Sequence, residues 1–172
     1  SLLADLAVHR LDLIMADRPM PAHLSVRGFN HLLGESGMTL FGTPALAATL
    51  TGDFPQCLDG APLLLPGEDF AIYGRLLQWL GDNHLHPRIV GEFDDSALVK
   101  SFVQGGTGVF AAPSAIEGEI VRQYSVGVVG RTSTMHARFY VLSMERQVRH
   151  PAVLAIIGRA RAGLFNEKAP DT

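Results

Sequence analysis

Between residues 63 and 124 the apolar period changes from extended to helical three times, and each change falls on a turn-forming residue. Leu63-Leu64-Leu65 stops at Pro66-Gly67 and is followed by Ile72, Leu76, Trp79 and Leu80, the spacing of one helical stripe facing a core. Residues 88–93 read as a second strand that runs into Asp94-Asp95-Ser96 and a helix with Leu98/Phe102 and Val99/Val103 as i, i+4 pairs. Residues 109–112 form the third strand. It meets Pro113, and Ser114-Ala115-Ile116-Glu117 has the form of a capping box ahead of a helix carrying Ile116, Ile120 and Tyr124. Strands that alternate with helices imply an α/β fold with parallel pairing through right-handed crossovers.

The rest of the chain extends the same reading. Ser1 can cap a short helix bearing Leu2, Leu3 and Leu6, and residues 11–16 read as a buried strand ended by Asp17-Arg18-Pro19. Residues 25–33 form a second extended region, Gly34-Glu35-Ser36-Gly37 reads as a break, and residues 38–41 as another strand. A helical or irregular segment follows over 45–58. Beyond Tyr124, residues 126–129 and 139–144 read as two strands. His150-Pro151 then opens a helix with Val153, Ile157, Ala160 and Leu164 on its buried face, since proline at a first helical position gives up no hydrogen bond.

With 47% apolar and 18% charged residues among 172, the chain can build a core without disulfides, and its single cysteine, Cys57, could not supply a framework or a multi-cysteine zinc site. A net charge of −3 gives no basic face of the kind that binds nucleic acid. The longest apolar runs fall far short of the roughly 20 residues that span a bilayer, so a cytoplasmic protein is expected. The chain opens at Ser1 directly into a helix, as expected of a processed or truncated piece.

Several segments carry a family resemblance. Leu2-Leu3-Ala4-Asp5-Leu6 with Arg10-Leu11-Asp12-Leu13-Ile14, then Gly34-Glu35, Gly108-Val109-Phe110-Ala111-Ala112-Pro113 and His150-Pro151-Ala152-Val153, follow the order of the effector-binding domain of LysR-type transcriptional regulators. Phe54-Pro55-Gln56-Cys57-Leu58, Leu64-Leu65-Pro66-Gly67 and the run from Gly91 through Asp94-Asp95-Ser96 to Leu98 resemble the NhaR subgroup, sodium-responsive activators of sodium/proton antiporter genes. The resemblance implies a two-lobed, periplasmic-binding-protein-like (type II) fold whose first lobe is incomplete at its start. Lobe I would take residues 1–34 and 134–172, and lobe II residues 35–133. It also implies a homodimer or tetramer, DNA contact only through a winged helix-turn-helix outside this chain, and a small ion or small-molecule effector bound between lobes. An extracytoplasmic solute-binding protein of the same fold is the alternative.

Within that frame the expected ligand contacts are Pro66, Gly67, Glu68 and Asp69 at one turn, Phe93, Asp94, Asp95 and Ser96 at the next, and Thr107, Gly108 and Pro113 around the third strand. Carboxyl ends of strands line ligand crevices in open α/β sheets. Capping accounts for one of Asp94 and Asp95, and the carboxylate pair suits Na⁺ or a divalent ion; the sodium-linked regulation that the resemblance implies makes it the candidate Na⁺ site. Glu68 and Asp69 also fit a solvated first turn with a cap. His84 and His86 precede Pro87 without a third ligand nearby in sequence and read as surface loop, while His136 near the second lobe crossing could respond to pH. Gly105-Gly106-Thr107-Gly108 matches no phosphate loop and reads as a helix C-cap. Ser114 reads as a cap. With no nucleophile–base set and no cofactor motif, no enzyme activity is expected.

Overall fold

A computed structural model describes residues 2–21, 28–147 and 149–165, with the side chains of Ser96 and Ala97 outside the description. In chain order the elements are α1 (Leu2–Ala7), β1 (Ile14–Ala16), β2 (Phe29–Gly42), α2 (Pro44–Ala47), β3 (Pro62–Pro66), α3 (Tyr73–Asp82), β4 (Arg88–Phe93), α4 (Ser96–Gln104), β5 (Phe110–Pro113), α5 (Glu117–Tyr124), β6 (Gly127–Ser143) and α6 (Pro151–Ala160). They form two compact units. Unit 1 is Ser1–Glu35 with Arg138–Thr172, and unit 2 is Ser36–Ala137, so the chain passes from one unit to the other within β2 and again within β6.

Those two strands depart from the sequence expectation. The run Gly34-Glu35-Ser36-Gly37 does not break the chain; β2 continues through it for 14 residues. Likewise the two strands expected at 126–129 and 139–144 are one 17-residue strand, β6. The glycines are contact points. A Cβ on Gly34 would overlap the Phe165 ring, one on Gly130 the Phe54 ring, and one on Gly37 would lie 2.9 Å from the Thr132 carbonyl oxygen. Of the residues expected in the extended region at 25–33, those up to 27 lie outside the described residues.

In unit 1, β1 pairs antiparallel with the end of β6, setting Ile14 opposite Leu142 and Ala16 opposite Tyr140. Alternation then sends Ile14, Tyr140 and Leu142 toward Leu6 of α1, and Val141 toward Leu33, Val153 and Ile157 of the other cluster. The expected strand at 11–16 shortens to three residues. At the end of α6 the helix widens into a π-helical turn, Arg161–Phe165. This shifts the buried stripe: Phe165 packs against Phe139, ring centroids 5.4 Å apart, and Leu164, expected inside, is exposed.

In unit 2, β3 and β4 pair in parallel, from Pro62 opposite Arg88 to Pro66 opposite Phe93, with a register shift after Leu63. A parallel bridge from Leu63 to Val109 places the start of β5 on the other side of β3. β5 also pairs antiparallel with β2, so the pairing in unit 2 is mixed where all-parallel pairing was expected. Helix α3 forms as its periodicity predicts, burying Leu76, Trp79 and Leu80 against Leu63, Leu65 and Val109. Each such side chain stabilises by about 1.5–3 kcal/mol. On α4 the burial falls on Val103, packed with Val99. Leu98 and Phe102 stay exposed, with the Phe102 ring tilted against that of Phe93, centroids 4.8 Å apart.

Candidate functional site at the carboxyl edge of unit 2

Parallel pairing of β3 with β4, and of β5 with β3, brings their carboxyl ends to one edge of unit 2. The Pro66–Gly67 and Phe93–Asp94 turns touch there: the Gly67 N–H donates to the Phe93 carbonyl at 2.9 Å. The Asp94 carboxylate lies directly over the Gly67 Cα, where any side chain at 67 would overlap Oδ1. A larger residue here would force the exposed Asp94 carboxylate to turn aside, while the Asp94 Cα, 3.4 Å from that point, leaves room for ordinary contact. The Gly67 carbonyl accepts from the Phe70 N–H at 3.0 Å, closing a turn that leaves Glu68 and Asp69 exposed.

Negative charge gathers at this edge. Burial raises the Tyr73 phenol above the ordinary tyrosine range, and the nearby charges of Glu92 and Glu68 push it the same way. Helix α4 begins at Ser96, and its first turn is closed by the Val99 N–H on the Asp95 carbonyl at 3.3 Å, so Asp95 holds the capping position. Among the described residues no three His, Cys, Asp or Glu side chains converge as a metal-holding group.

Pro113 belongs to the same edge, as the last residue of β5. Thr107 and Gly108 do not. They precede β5, with Gly108 packed against Val90, Leu64 and the Pro62 carbonyl at the amino-terminal end of β3. Gly106, with φ of 71°, ends α4, its N–H donating to the Val103 carbonyl at 2.9 Å. The other expected positions are surface features: His84 leaves α3 at φ 55°, and the exposed His86 ring lies 3.6 Å from Asp59.

Sequence reasoning missed a polar network beside Pro113. Ser114 and Glu117 do not form a capping box; a 3-10 turn occupies Ser114–Ile116, and neither side chain caps it. Instead the fully buried Thr39 hydroxyl lies 2.8 Å from Ser114 Oγ and donates to Glu117 Oε2 at 3.0 Å. Arg131 clasps the same carboxylate with two bonds, at 2.8 and 2.6 Å. Its guanidinium holds Glu117 below the ordinary carboxylate range, helped by Thr39 and opposed by partial burial. Ser36 accepts the Ala115 N–H at 2.9 Å and donates to the Gly37 carbonyl at 2.8 Å. The pattern S-x-x-E carried a signal, but its partners are 75 and 78 positions away for Thr39, beyond any local rule.

The profile of the LysR substrate binding domain matches residues 1–164. The chain belongs to the LysR substrate binding domain family. This LysR domain is 31% identical over 165 residues to the transcriptional activator protein NhaR of Escherichia coli strain K12, and equally to that of Shigella flexneri, covering 96% of the chain and 54% of each relative. It thus spans about half the length of the curated relatives it matches. Solved structures share its mixed α/β, two-lobed fold. The regulatory domain of CcmR from Synechocystis, in complex with 2-PG, matches with a TM-score of 0.65 at 12% identity, over 98% of this chain and 80% of that one. CbnR, a LysR family transcriptional regulator, matches at 0.70 and 12% identity over 92% and 54%. Full-length LysG from Corynebacterium glutamicum with bound effector Arg matches at 0.63 and 17% identity over 95% and 56%. Among the described residues of the LysR domain no helix is long and apolar enough to cross a membrane.

Proposed function

We propose that this LysR domain is the effector-sensing part of a NhaR-like, DNA-binding transcriptional activator, acting in the cytoplasm on sodium/proton antiporter genes, and that it is not an enzyme. The carrying observation is the 31% identity to NhaR across 96% of the chain. Convergence of the Pro66–Asp69, Phe93–Ser96 and Pro113 turns on one edge of unit 2 supports these turns as the receiving surface for a small ion or molecule. Thr107 and Gly108 have less support, since they stand at the other end of the strands. The signal requires an effector that binds one arrangement of the regulator more tightly than another; equal affinity for both shifts nothing.

Sodium is the first effector to test, at Asp94 and Asp95. Thermal unfolding of the domain in NaCl against KCl at equal ionic strength should show a higher midpoint in sodium, and Asp94→Asn/Asp95→Asn should remove the difference. Identical curves in the two salts would sink direct sodium binding at this edge. A promoter reporter driven by the full-length regulator, with and without the same substitutions, tests whether this edge governs activation. Self-association as a dimer or tetramer is part of the same proposal, supported by the exposure of Leu98 and Phe102 on α4 and of Leu154 and Ile156 on α6.

A further inference from the structure

The network beside Pro113 has a fixed proton direction. Glu117, clasped twice by Arg131, is an ionised carboxylate and can only accept. Thr39 Oγ1 stands 3.0 Å from Glu117 Oε2, so its single proton points there. Ser114 Oγ, 2.8 Å from the same Thr39 oxygen, must then spend its own proton on Thr39. The Ser114 hydroxyl is left with lone pairs only. Ser114 is half-buried. It stands 3.7 Å from the place a Cβ on Gly37 would take, and the Thr132 carbonyl oxygen lies 2.9 Å from the same point.

We propose that Ser114 Oγ is an acceptor-only contact for the effector, so that the group received at the end of β5 is a cation or a hydrogen-bond donor, such as Na⁺, an ammonium, a guanidinium or an amide N–H, and not a carboxylate or phosphate. The inference rests on the carboxyl edge of unit 2 being the sensing surface, and it adds the polarity of the group that edge selects. A carboxylate placed there would face an oxygen with no proton to give, in the same network as the ionised Glu117. Thr39 is the positioning residue. Replacing its hydroxyl frees the Ser114 proton to turn outward, which converts the contact from acceptor to donor.

The test uses thermal unfolding of the domain followed by the fluorescence of Trp79, with methylammonium chloride and potassium acetate as probes at constant ionic strength. A probe at about ten times its Kd raises the midpoint by about 3–5 °C in a domain of this size. Methylammonium is expected to stabilise the wild-type chain and acetate not to. Ser114→Ala should abolish the methylammonium shift, and Thr39→Val should reduce it while creating a shift with acetate. A larger acetate shift in the wild type, or a methylammonium shift that survives Ser114→Ala, overturns the acceptor role. If that surviving shift is lost in Asp94→Asn/Asp95→Asn, the edge remains the sensing surface and only the polarity at Ser114 is wrong. No response to either probe in any variant overturns both.

Discussion

Replacing Glu117 by glutamine keeps the shape of the side chain and removes its charge. In the wild type the carboxylate takes two bonds from Arg131, at 2.8 and 2.6 Å, and one from Thr39 at 3.0 Å. Charge-assisted bonds of this kind contribute about 1.5–3 kcal/mol when well buried. The Arg131 side chain is 62% exposed, so solvent screening reduces the expected loss to about 1–2 kcal/mol. In a domain of this length that lowers the melting midpoint by about 3–6 °C. The pH dependence follows from a folded-state pKa held below the ordinary 4.5. The carboxylate's contribution is complete above its unfolded value and is lost as pH falls through the depressed folded value. The penalty of Glu117→Gln should therefore be full at pH 7 and shrink steadily below about pH 4.5. Urea unfolding at pH 7 and at stepwise lower pH measures it, and the single tryptophan, Trp79, sits in the same unit with its indole N–H on Thr134 at 3.1 Å. A penalty of the same size at every pH, or none at neutral pH, would refute the assignment of an ionised Glu117 at the centre of the network.

Three further outcomes are expected. Ser36→Ala deprives the Ala115 N–H of its partner and should cost about 1–2 kcal/mol by the same fluorescence assay, with Ser36→Thr recovering part of the loss. Gly67→Ala should lower the midpoint because its Cβ overlaps the Asp94 carboxylate, and the double variant Gly67→Ala/Asp94→Ala should recover most of the loss, since the obstacle is then gone. Cys57, buried and with its thiol pushed up by burial, should react with a thiol reagent only as the domain unfolds; rapid labelling under native conditions would contradict its position beside Leu58 and Trp79.

Local chemistry made part of this fold legible. The stripe Leu76, Trp79 and Leu80 became the buried face of α3, Pro66-Gly67 ended β3, and Pro151 opened α6, because each depends on neighbours a few positions away. The two long strands were not legible for the same reason. Gly34, Gly37 and Gly130 look like punctuation in one dimension, but each makes room for something distant in sequence: the Phe165 ring, the Thr132 carbonyl and the Phe54 ring. At the candidate site, the turns at 66–69 and 93–96 could be read because proline, glycine and aspartate announce them. The register that sends Thr107 and Gly108 to the opposite end of β3 could not, since it depends on the Leu63–Val109 bridge. Ser114 and Glu117 had the letters of a cap. Thr39 and Arg131 compete for those side chains, and neither can be guessed from a four-residue motif.

The passage of β2 and β6 between units has a consequence for the order in which the chain can acquire its structure. Unit 2 is one unbroken stretch, Ser36–Ala137, and its partners are all present once that stretch has left the ribosome. Unit 1 has to wait. Ile14 pairs with Leu142, so the segment up to Glu35 emerges from the ribosome long before the strand that receives it. During that interval Leu6 and Ile14 lack Leu142, and Leu33 lacks Val141, Val153 and Ile157, the buried partners they hold in the folded domain. Synthesis from the amino-terminal side thus favours a half-formed intermediate in which unit 2 is folded and the segment ahead of it, up to Glu35, is open to capture by other chains or by chaperones.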